Sequence, residues 1–187
     1  MNRHFIGLVP EGLEKNPELK QLLGKMKRTL DGRERQVRWT SPDLWHVTLE
    51  FIGEVRDPKV LFAALADWRP PQAGGVELKL QGFGAFPSVD EARVLWIGVH
   101  KSQALLDLQA DLSHHLRAAG VPAADEREYH PHLTVARFRN SMSAADLVQL
   151  GGRKRFGDYR IGEVILFESA LQGNILKHIP LLRKQIQ

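Results

Sequence analysis

Two short segments of the chain share an arrangement of residues that can carry out acid–base chemistry. Residues 45–54 read WHVTLEFIGE and residues 129–138 read YHPHLTVARF. Each contains a histidine, an aliphatic residue, a threonine and a second aliphatic residue, which gives His46 with Thr48 and His132 with Thr134. The chain has 8 histidines and four threonines, so only about 0.17 His-x-Thr pairs are expected by chance. The repeat therefore indicates a shared function.

This combination of side chains suits a substitution reaction at phosphorus. Residues two apart on a strand project from the same face, so each histidine shares a face with its threonine. A half-protonated histidine pair supplies one general acid and one general base near neutral pH, each worth roughly 10²–10⁴ in rate. Threonine hydroxyls are short, stiff donors that hold anionic oxygens without carrying charge. If both strands line one cleft, one imidazole can activate water while the other protonates the leaving oxygen.

The elements that must position these residues repeat in the two halves of the chain. Apolar runs and turn residues predict the order strand, helix, His-x-Thr strand and helix in each half, with an inserted strand pair between them. Asn16 and Ser102 are the candidate N-caps of two helices. No long linker or low-complexity segment separates the halves, so residues 1–187 are expected to form a single domain. We predict one α+β unit of two pseudo-equivalent lobes.

The composition favours a globular protein with anionic partners. The chain has 187 residues, 43% of them hydrophobic, a formal net charge of +4 and no cysteine, which excludes disulfides and thiolate metal sites. Its N-terminal apolar run is too short for a signal peptide, so we expect a cytoplasmic protein. The even mixture of charges favours a monomer.

Basic residues gather in GGRKRF (residues 151–156) and in DGRERQVRW, where Arg33, Arg35 and Arg38 lie just upstream of the first motif. Either cluster can be a solvated loop.

The two motifs and their surroundings resemble the 2H phosphoesterase superfamily, in particular its RNA 2′,3′-cyclic phosphodiesterase branch, also called LigT-like or 2′-5′ RNA ligase. The supporting segments are RHFIGLVP, WHVTLEFIGEV, GFGAFPSVDEARVLWIGV, HPHLTVARF and the closing FESAL with Gly173. The resemblance spans nearly the whole chain. It implies a bilobal fold of mainly antiparallel sheets flanked by helices, with the active cleft between the lobes. It also implies hydrolysis of RNA or nucleoside 2′,3′-cyclic phosphates to 2′-phosphates, with no metal or other cofactor.

The resemblance implies roles for individual residues. His46 would be the proton donor to the departing 3′ oxygen, and His132 would be the proton acceptor that activates water. Thr48 and Thr134 would bind the phosphate. Arg137 is a further phosphate-binding candidate, but strand parity points it away from the cleft, so this role requires a bulge that turns it inward.

Three other positions are open to more than one interpretation. Phe5 either faces the cleft and stacks on a base or belongs to the core. Glu50 shares strand parity with His46, so it can support a histidine or lie in solvent. After Gly173 the family usually carries a tyrosine, whereas this chain has an aliphatic pair followed by His178, so no substrate contact is implied there.

Two alternatives to the leading hypothesis remain at this stage. The HPH sequence allows a metal-dependent phosphoesterase that uses His130 and His132, although no third ligand is visible at motif spacing. The histidines of a non-catalytic module would instead only grip the phosphate at an RNA end. Within the family, reversible 2′-5′ RNA ligation is a further activity of the same type of site.

Overall fold

The computed structural model describes residues 2–30, 32–71, 74–121 and 127–186. The strands found there are β1 (Arg3–Leu8), β2 (Val37–Trp39), β3 (Val47–Glu54), β4 (Val76–Phe86), β5 (Ala92–Val99), β6 (His132–Met142), β7 (Arg155–Ile161), β8 (Glu163–Gln172) and β9 (Ile175–Gln185). The α-helices are α1 (Pro17–Thr29), α2 (Lys59–Asp67), α3 (Gln103–Ala118) and α4 (Ala145–Gly151). None of these described helices combines the length and apolarity needed to cross a membrane.

Capping side chains begin the two longest helices where the sequence predicts. The Asn16 side-chain oxygen accepts a hydrogen bond from the backbone N–H of Leu19 at 2.9 Å. The Ser102 hydroxyl accepts one from the N–H of Leu105 at 3.3 Å. Each bond satisfies a backbone donor that the first helical turn leaves without a partner. Both predicted N-caps are confirmed.

The described strands form one antiparallel sheet that consists of two matching halves. The strand order is β7-β4-β5-β6-β3-β1-β8-β9, and β2 pairs with β6 outside this path. Each half contains one His-x-Thr strand, β6 in one and β3 in the other. These two strands pair with each other only through Val47 and Leu133 in the described residues. The sheet therefore places both motif strands side by side at its centre, and the predicted α+β fold of two pseudo-symmetric lobes is confirmed.

Buried aliphatic residues fix the orientation of the two motif strands. Val47 and Leu133 are fully buried, and Leu49 and Val135 are at most 2% exposed. Helix α3 packs against β3 on this apolar side. Because successive side chains of a strand alternate between its faces, burying the aliphatic residues turns the histidines and threonines to the opposite face.

A β-bulge in β3 reverses the alternation beyond Thr48. The residues of β1 that pair with Thr48 and Glu50 are adjacent in sequence, so Leu49 is the extra residue. Phe51 pairs with Phe5 and lies on the motif face, where it is 44% exposed. The predicted parity of Glu50 with the first motif is therefore wrong. Glu50 is only 8% exposed and faces a polar cavity beside α3.

A matching bulge in β6 follows Thr134. The residues of β5 that pair with Thr134 and Ala136 are adjacent in sequence, so Val135 is the extra residue. Beyond it Ala136 and Phe138 are buried, and Arg137 is exposed on the motif face. The bulge that a cleft-facing Arg137 requires is thus present, and the outward orientation given by strand parity alone is wrong. Phe51 and Arg137 occupy equivalent positions, three residues past each threonine.

Candidate active site

His46 lies immediately before β3, and its ring is fixed by one hydrogen bond and by contacts with neighbouring aromatic rings. Its Nδ1 lies 2.7 Å from the carbonyl oxygen of Leu44. Because a carbonyl oxygen only accepts, Nδ1 carries a proton and Nε2 of the neutral ring holds the free lone pair. The ring stacks on Phe5 with centroids 4.5 Å apart and meets His178 edge-on at 5.1 Å. Nε2 is therefore the atom available for proton transfer.

His132 begins β6 and is held in an equivalent way. Its Nδ1 lies 2.7 Å from the carbonyl oxygen of His130, again two residues upstream. Its ring meets Phe86 edge-on at 4.9 Å and Trp96 at 6.2 Å. The same tautomer follows, with Nε2 unprotonated in the neutral ring. The two lobes therefore repeat both the motif and the backbone carbonyl that orients each imidazole.

Two glycines leave space for the His46 ring and for the Trp96 ring that contacts His132. A Cβ atom at Gly7 would lie 3.0 Å from the carbonyl oxygen of Val47 and 3.5 Å from Cδ2 of His46. A Cβ atom at Gly84 would lie 2.2 Å from the indole ring of Trp96, which supports His132. Close packing against the backbone of β1 and β4 thus positions the His46 ring and the Trp96 ring beside His132.

Burial and neighbouring positive charges keep both imidazoles neutral in the unliganded protein. Burial lowers the pKa of His46 to about 4, opposed by the Leu44 carbonyl and assisted by the charges of His178, His132 and Arg137. Burial also lowers the pKa of His132, again with a contribution from Arg137. The charge of Arg137 therefore acts on both imidazoles, and the charge of His132 acts on His46. A bound anion would be attracted by Arg137 and would favour the protonated form of both imidazoles.

The low pKa of His46 makes the stability of the fold depend on pH. A histidine with a pKa of about 4 in the folded state and about 6.5 in the unfolded state contributes stability above pH 6.5, which is lost as the pH falls towards 4. We expect the free energy of unfolding to fall by about 3 kcal/mol between pH 7 and pH 4 from this group alone. Urea unfolding at the two pH values measures the change. In a His46→Gln variant, whose glutamine cannot titrate, the free energy of unfolding should fall less between the two pH values. An equal fall in the variant and the wild type would contradict this expectation.

Comparisons with known proteins agree with this geometry. The sequence model of the 2′-5′ RNA ligase superfamily matches residues 17–170. The chain is 31% identical over 162 residues to the RNA 2′,3′-cyclic phosphodiesterase of Methanothermobacter thermautotrophicus, an alignment that covers 82% of this chain and 84% of that protein. It is 33% identical over 135 residues to the protein of the same name from Aeropyrum pernix, covering 71% and 73%. The chain belongs to the 2′-5′ RNA ligase superfamily. The resemblance predicted from the two motifs is confirmed.

Solved structures support the fold of this superfamily member. E. coli LigT in complex with 3′-AMP has a TM-score of 0.71 and 22% identity, and the match covers 99% of this chain and 98% of that one. A Thermus thermophilus protein has a TM-score of 0.72 and 19% identity, covering 98% and 97%. At such identities the likeness shows the shared architecture, which is the bilobal antiparallel fold predicted from the sequence.

In the described part of this superfamily member, no third metal ligand joins His130 and His132. Residues 2–30, 32–71, 74–121 and 127–186 contain no group of three or more histidine, cysteine, aspartate or glutamate side chains placed to hold a metal ion. His130 instead uses its backbone carbonyl to orient His132, and its ring contacts Phe86 at 5.6 Å. His130 therefore has an orienting role toward the second motif.

Phe5 lies beside the first motif of this superfamily member, but its ring is enclosed. It is 2% exposed, stacks on His46 at 4.5 Å and stacks on Phe167 at 5.0 Å. The predicted base-stacking role of Phe5 does not fit this burial, because no ring face remains open. The exposed aromatic side chain on the same face is Phe51, whose ring lies 6.0 Å from Phe5. Sequence reasoning missed it because the bulge in β3 is not visible in the residue pattern.

His178 is the other site residue that the sequence did not reveal. It lies on β9 opposite Ser169 of β8, which in turn lies opposite Arg3 of β1. The ring contacts Phe5 at 4.9 Å and His46 at 5.1 Å. Burial lowers its pKa as well, with a further contribution from Arg137. The sequence analysis noted only that His178 follows an aliphatic pair in the segment after Gly173, which did not mark it as a site residue.

The contact of His178 with His46 should be measurable as a change in pKa. A His178→Phe variant keeps an aromatic ring in the position of His178 and removes the charge that lowers the pKa of His46. We expect the pKa of His46 to rise above about 4 in an NMR titration of its imidazole protons. The control is His100→Phe, at an exposed position. A pKa that stays the same or falls in His178→Phe would show that the ring contact carries no electrostatic coupling.

Proposed function

We propose that this protein hydrolyses 2′,3′-cyclic phosphate ends of RNA to 2′-phosphates by paired-histidine acid–base catalysis, without a metal ion. The observation that carries the proposal is that the two motif strands lie side by side and hold His46 and His132 through Nδ1, which leaves Nε2 of each ring for proton transfer. The bulge after Thr134 turns Arg137 onto the same face. Two oriented imidazoles and a cation near both form a site for a single anionic phosphate. The curated relatives named RNA 2′,3′-cyclic phosphodiesterase support the choice of substrate.

The proposed reaction is a single in-line displacement at phosphorus. Nε2 of His132 removes a proton from water, and the water oxygen forms a bond to phosphorus. The bond between phosphorus and the ribose 3′ oxygen breaks on the opposite side, and Nε2 of His46 donates its proton to that oxygen. The product carries a 2′-phosphate, and exchange of protons with solvent restores both rings. Thr48, Thr134 and Arg137 hold the non-bridging oxygens as negative charge develops on them.

The pKa values set the protonation state in which this reaction begins. With a pKa of about 4, His46 is protonated in only about one unliganded molecule in a thousand at pH 7. If His46 is the acid, as the family resemblance implies, the reaction begins from this minor form of the protein with His46 protonated. An anionic phosphate stabilises that form when it binds. This arrangement predicts that kcat/KM, which reports the free enzyme, is greatest on the acid side of neutral pH.

Phe51 is the proposed platform for the nucleobase. It is 44% exposed and lies on the motif face beside Phe5, whose own ring is covered. Unpaired bases stack on exposed aromatic rings, and this contact tolerates any base. The position three residues past the first threonine thus supplies an apolar surface, whereas the equivalent position in the second lobe supplies the charge of Arg137.

The activity is tested with a short RNA that ends in a 2′,3′-cyclic phosphate, incubated in excess EDTA. We expect full turnover with chelator present, since histidines perform both proton transfers, and a product whose phosphate remains on the 2′ oxygen. Chromatography against 2′- and 3′-phosphate standards identifies the product. Loss of turnover in EDTA and its recovery with a divalent metal would favour a metal-dependent phosphoesterase. Binding without turnover under both conditions would favour a non-catalytic module.

The same site supports a second reaction when a ribose 5′-hydroxyl replaces water. Attack of that oxygen on the cyclic phosphate releases the 3′ oxygen and forms a 2′-5′ linkage, with the same two proton transfers. The match to the 2′-5′ RNA ligase superfamily favours this candidate. Adding an RNA that bears a 5′-hydroxyl to the hydrolysis assay tests it, because a longer product appears only if the strands are joined.

A further inference from the structure

Arg38 lies beside the proposed phosphate site, in the basic segment that the catalytic proposal does not use. It belongs to β2, and in the pairing of β2 with β6 it lies directly opposite Arg137. Residues directly opposite each other in a strand pair share one face of the sheet. Both side chains are exposed. The charge of Arg38 therefore lies on the face that carries the second motif.

Arg3 adds a third cation to this region. Burial lowers the pKa of Arg137 and the charge of Arg3 lowers it further, so the two guanidinium groups lie within electrostatic reach of each other. On β1, Arg3 is two residues before Phe5, and both pair in regular register with β8, so they share the motif face. Arg3, Arg38 and Arg137 together are called the arginine surface below.

The arginine surface places three like charges on one face of the sheet. Like charges directly opposite each other in a strand pair destabilise the sheet. Among the described residues, no ion pair involves Arg3, Arg38 or Arg137. Glu54 lies opposite Arg3 in the β1–β3 register but forms no ion pair with it. This arrangement is typical of a surface whose counter-charge is supplied by a ligand.

We propose that the arginine surface binds backbone phosphates of the RNA strand that precedes the cyclic end. The inference rests on the proposed function. A nucleoside cyclic phosphate carries one negative charge, which Arg137 already faces beside the two histidines. The positive charges of Arg3 and Arg38 are not needed to neutralise that single negative charge. Each additional nucleotide of a strand supplies one more phosphate, which these arginines can bind. The protein is therefore expected to prefer a cyclic-ended strand over a cyclic mononucleotide.

The test compares the binding of a single strand of about ten nucleotides ending in a 2′-phosphate with that of a nucleoside 2′-phosphate. Neither ligand is turned over, so binding is measured independently of catalysis, by fluorescence anisotropy for the strand and by competition for the nucleotide. In Arg38→Gln we expect the preference for the strand, expressed as the ratio of the two Kd values, to fall about ten-fold, because one charge-assisted phosphate contact is lost. The slope of log Kd against log salt should fall by about 0.7 for each phosphate contact removed.

Matched variants separate this surface from general charge effects. Arg153→Gln removes the same charge from an exposed position that precedes β7, at the far edge of the sheet, and should leave the ratio within about two-fold of wild type. Arg38→Lys keeps a positive charge and should retain most of the salt slope. The melting temperature of Arg38→Gln should not fall below that of the wild type, because the substitution removes a like-charge contact.

The outcomes distinguish this inference from the proposed function. If Arg38→Gln changes neither the ratio nor the salt slope, or if Arg153→Gln changes them equally, the arginine surface does not bind the strand. If the wild-type protein opens no cyclic phosphate but its strand binding depends on Arg38, the surface stands and the proposed hydrolysis fails. If it opens cyclic phosphates and its Kd ratio is insensitive to Arg38, the hydrolysis stands and the surface fails.

Discussion

Replacing either His46 or His132 with alanine is expected to lower kcat/KM on a cyclic-ended RNA by about 10²–10⁴, the usual worth of one general acid or base. Each ring is held by an upstream carbonyl that leaves only Nε2 free for proton transfer. Removing either imidazole therefore removes one of the two proton transfers. Initial rates measured in excess EDTA give the effect of each substitution. His100→Ala, which alters an exposed histidine outside the site, is the control.

A modified substrate tells the two histidines apart. In a cyclic phosphate whose 3′ oxygen is replaced by sulfur, the leaving atom departs without needing a proton. If His46 is the acid, His46→Ala regains most of its lost rate on this substrate, and His132→Ala does not, because water must still be activated. The opposite pattern would exchange the two roles. Full activity of either alanine variant on the natural substrate would contradict paired-histidine catalysis.

Replacing Arg137 with glutamine is expected to lower kcat/KM by about 10²–10³, comparable to the loss of one donor that stabilises transition-state charge. The bulge at Val135 turns this side chain onto the motif face, and its charge lowers the pKa of both His46 and His132. The substitution should therefore also change the pKa values of His46 and His132, which a loss of substrate binding alone would not do. Removing a positive charge favours protonation of both imidazoles, so both limbs of the pH profile should move to higher pH.

The pH dependence of kcat/KM separates these two effects of Arg137. In the wild type, the rate should fall on the acid side as His132 becomes protonated and fall on the alkaline side as His46 loses its proton, with a maximum below pH 6.5. In Arg137→Gln the maximum should lie at higher pH, whereas Arg153→Gln should leave its position unchanged. A reduced rate with an unmoved profile would mean that Arg137 binds substrate without acting on the histidines.

The two histidines and two threonines could be predicted from the sequence because side chains alternate between the faces of a strand with a period of two residues. Once Val47 and Leu133 are buried, the period of two places each histidine and threonine on the opposite face. That inference fails beyond each threonine. The extra residues Leu49 and Val135 are aliphatic like their neighbours, and only the register against β1 and β5 shows which residue is unpaired.

The remaining errors have related physical causes. Residues 160–171 read RIGEVILFESAL, a largely apolar run that predicts one strand, but the structure divides it at Gly162 between β7 and β8. The first of these strands has basic and glycine residues rather than an alternating pattern, so composition did not mark its beginning. His178 joins the site through contacts across β1, β8 and β9, which no local pattern encodes.

In the proposed mechanism the imidazoles of His46 and His132, which lie on different lobes, face one phosphate. An NMR titration with a nucleoside 2′-phosphate that follows the imidazole resonances of both histidines shows whether they do. We predict that both sets of resonances shift with the same apparent Kd and that saturation raises both pKa values, that of His46 from about 4. A response from only one histidine, or two responses with different affinities, would show that the two rings do not share a phosphate and would rule out paired-histidine catalysis at this site.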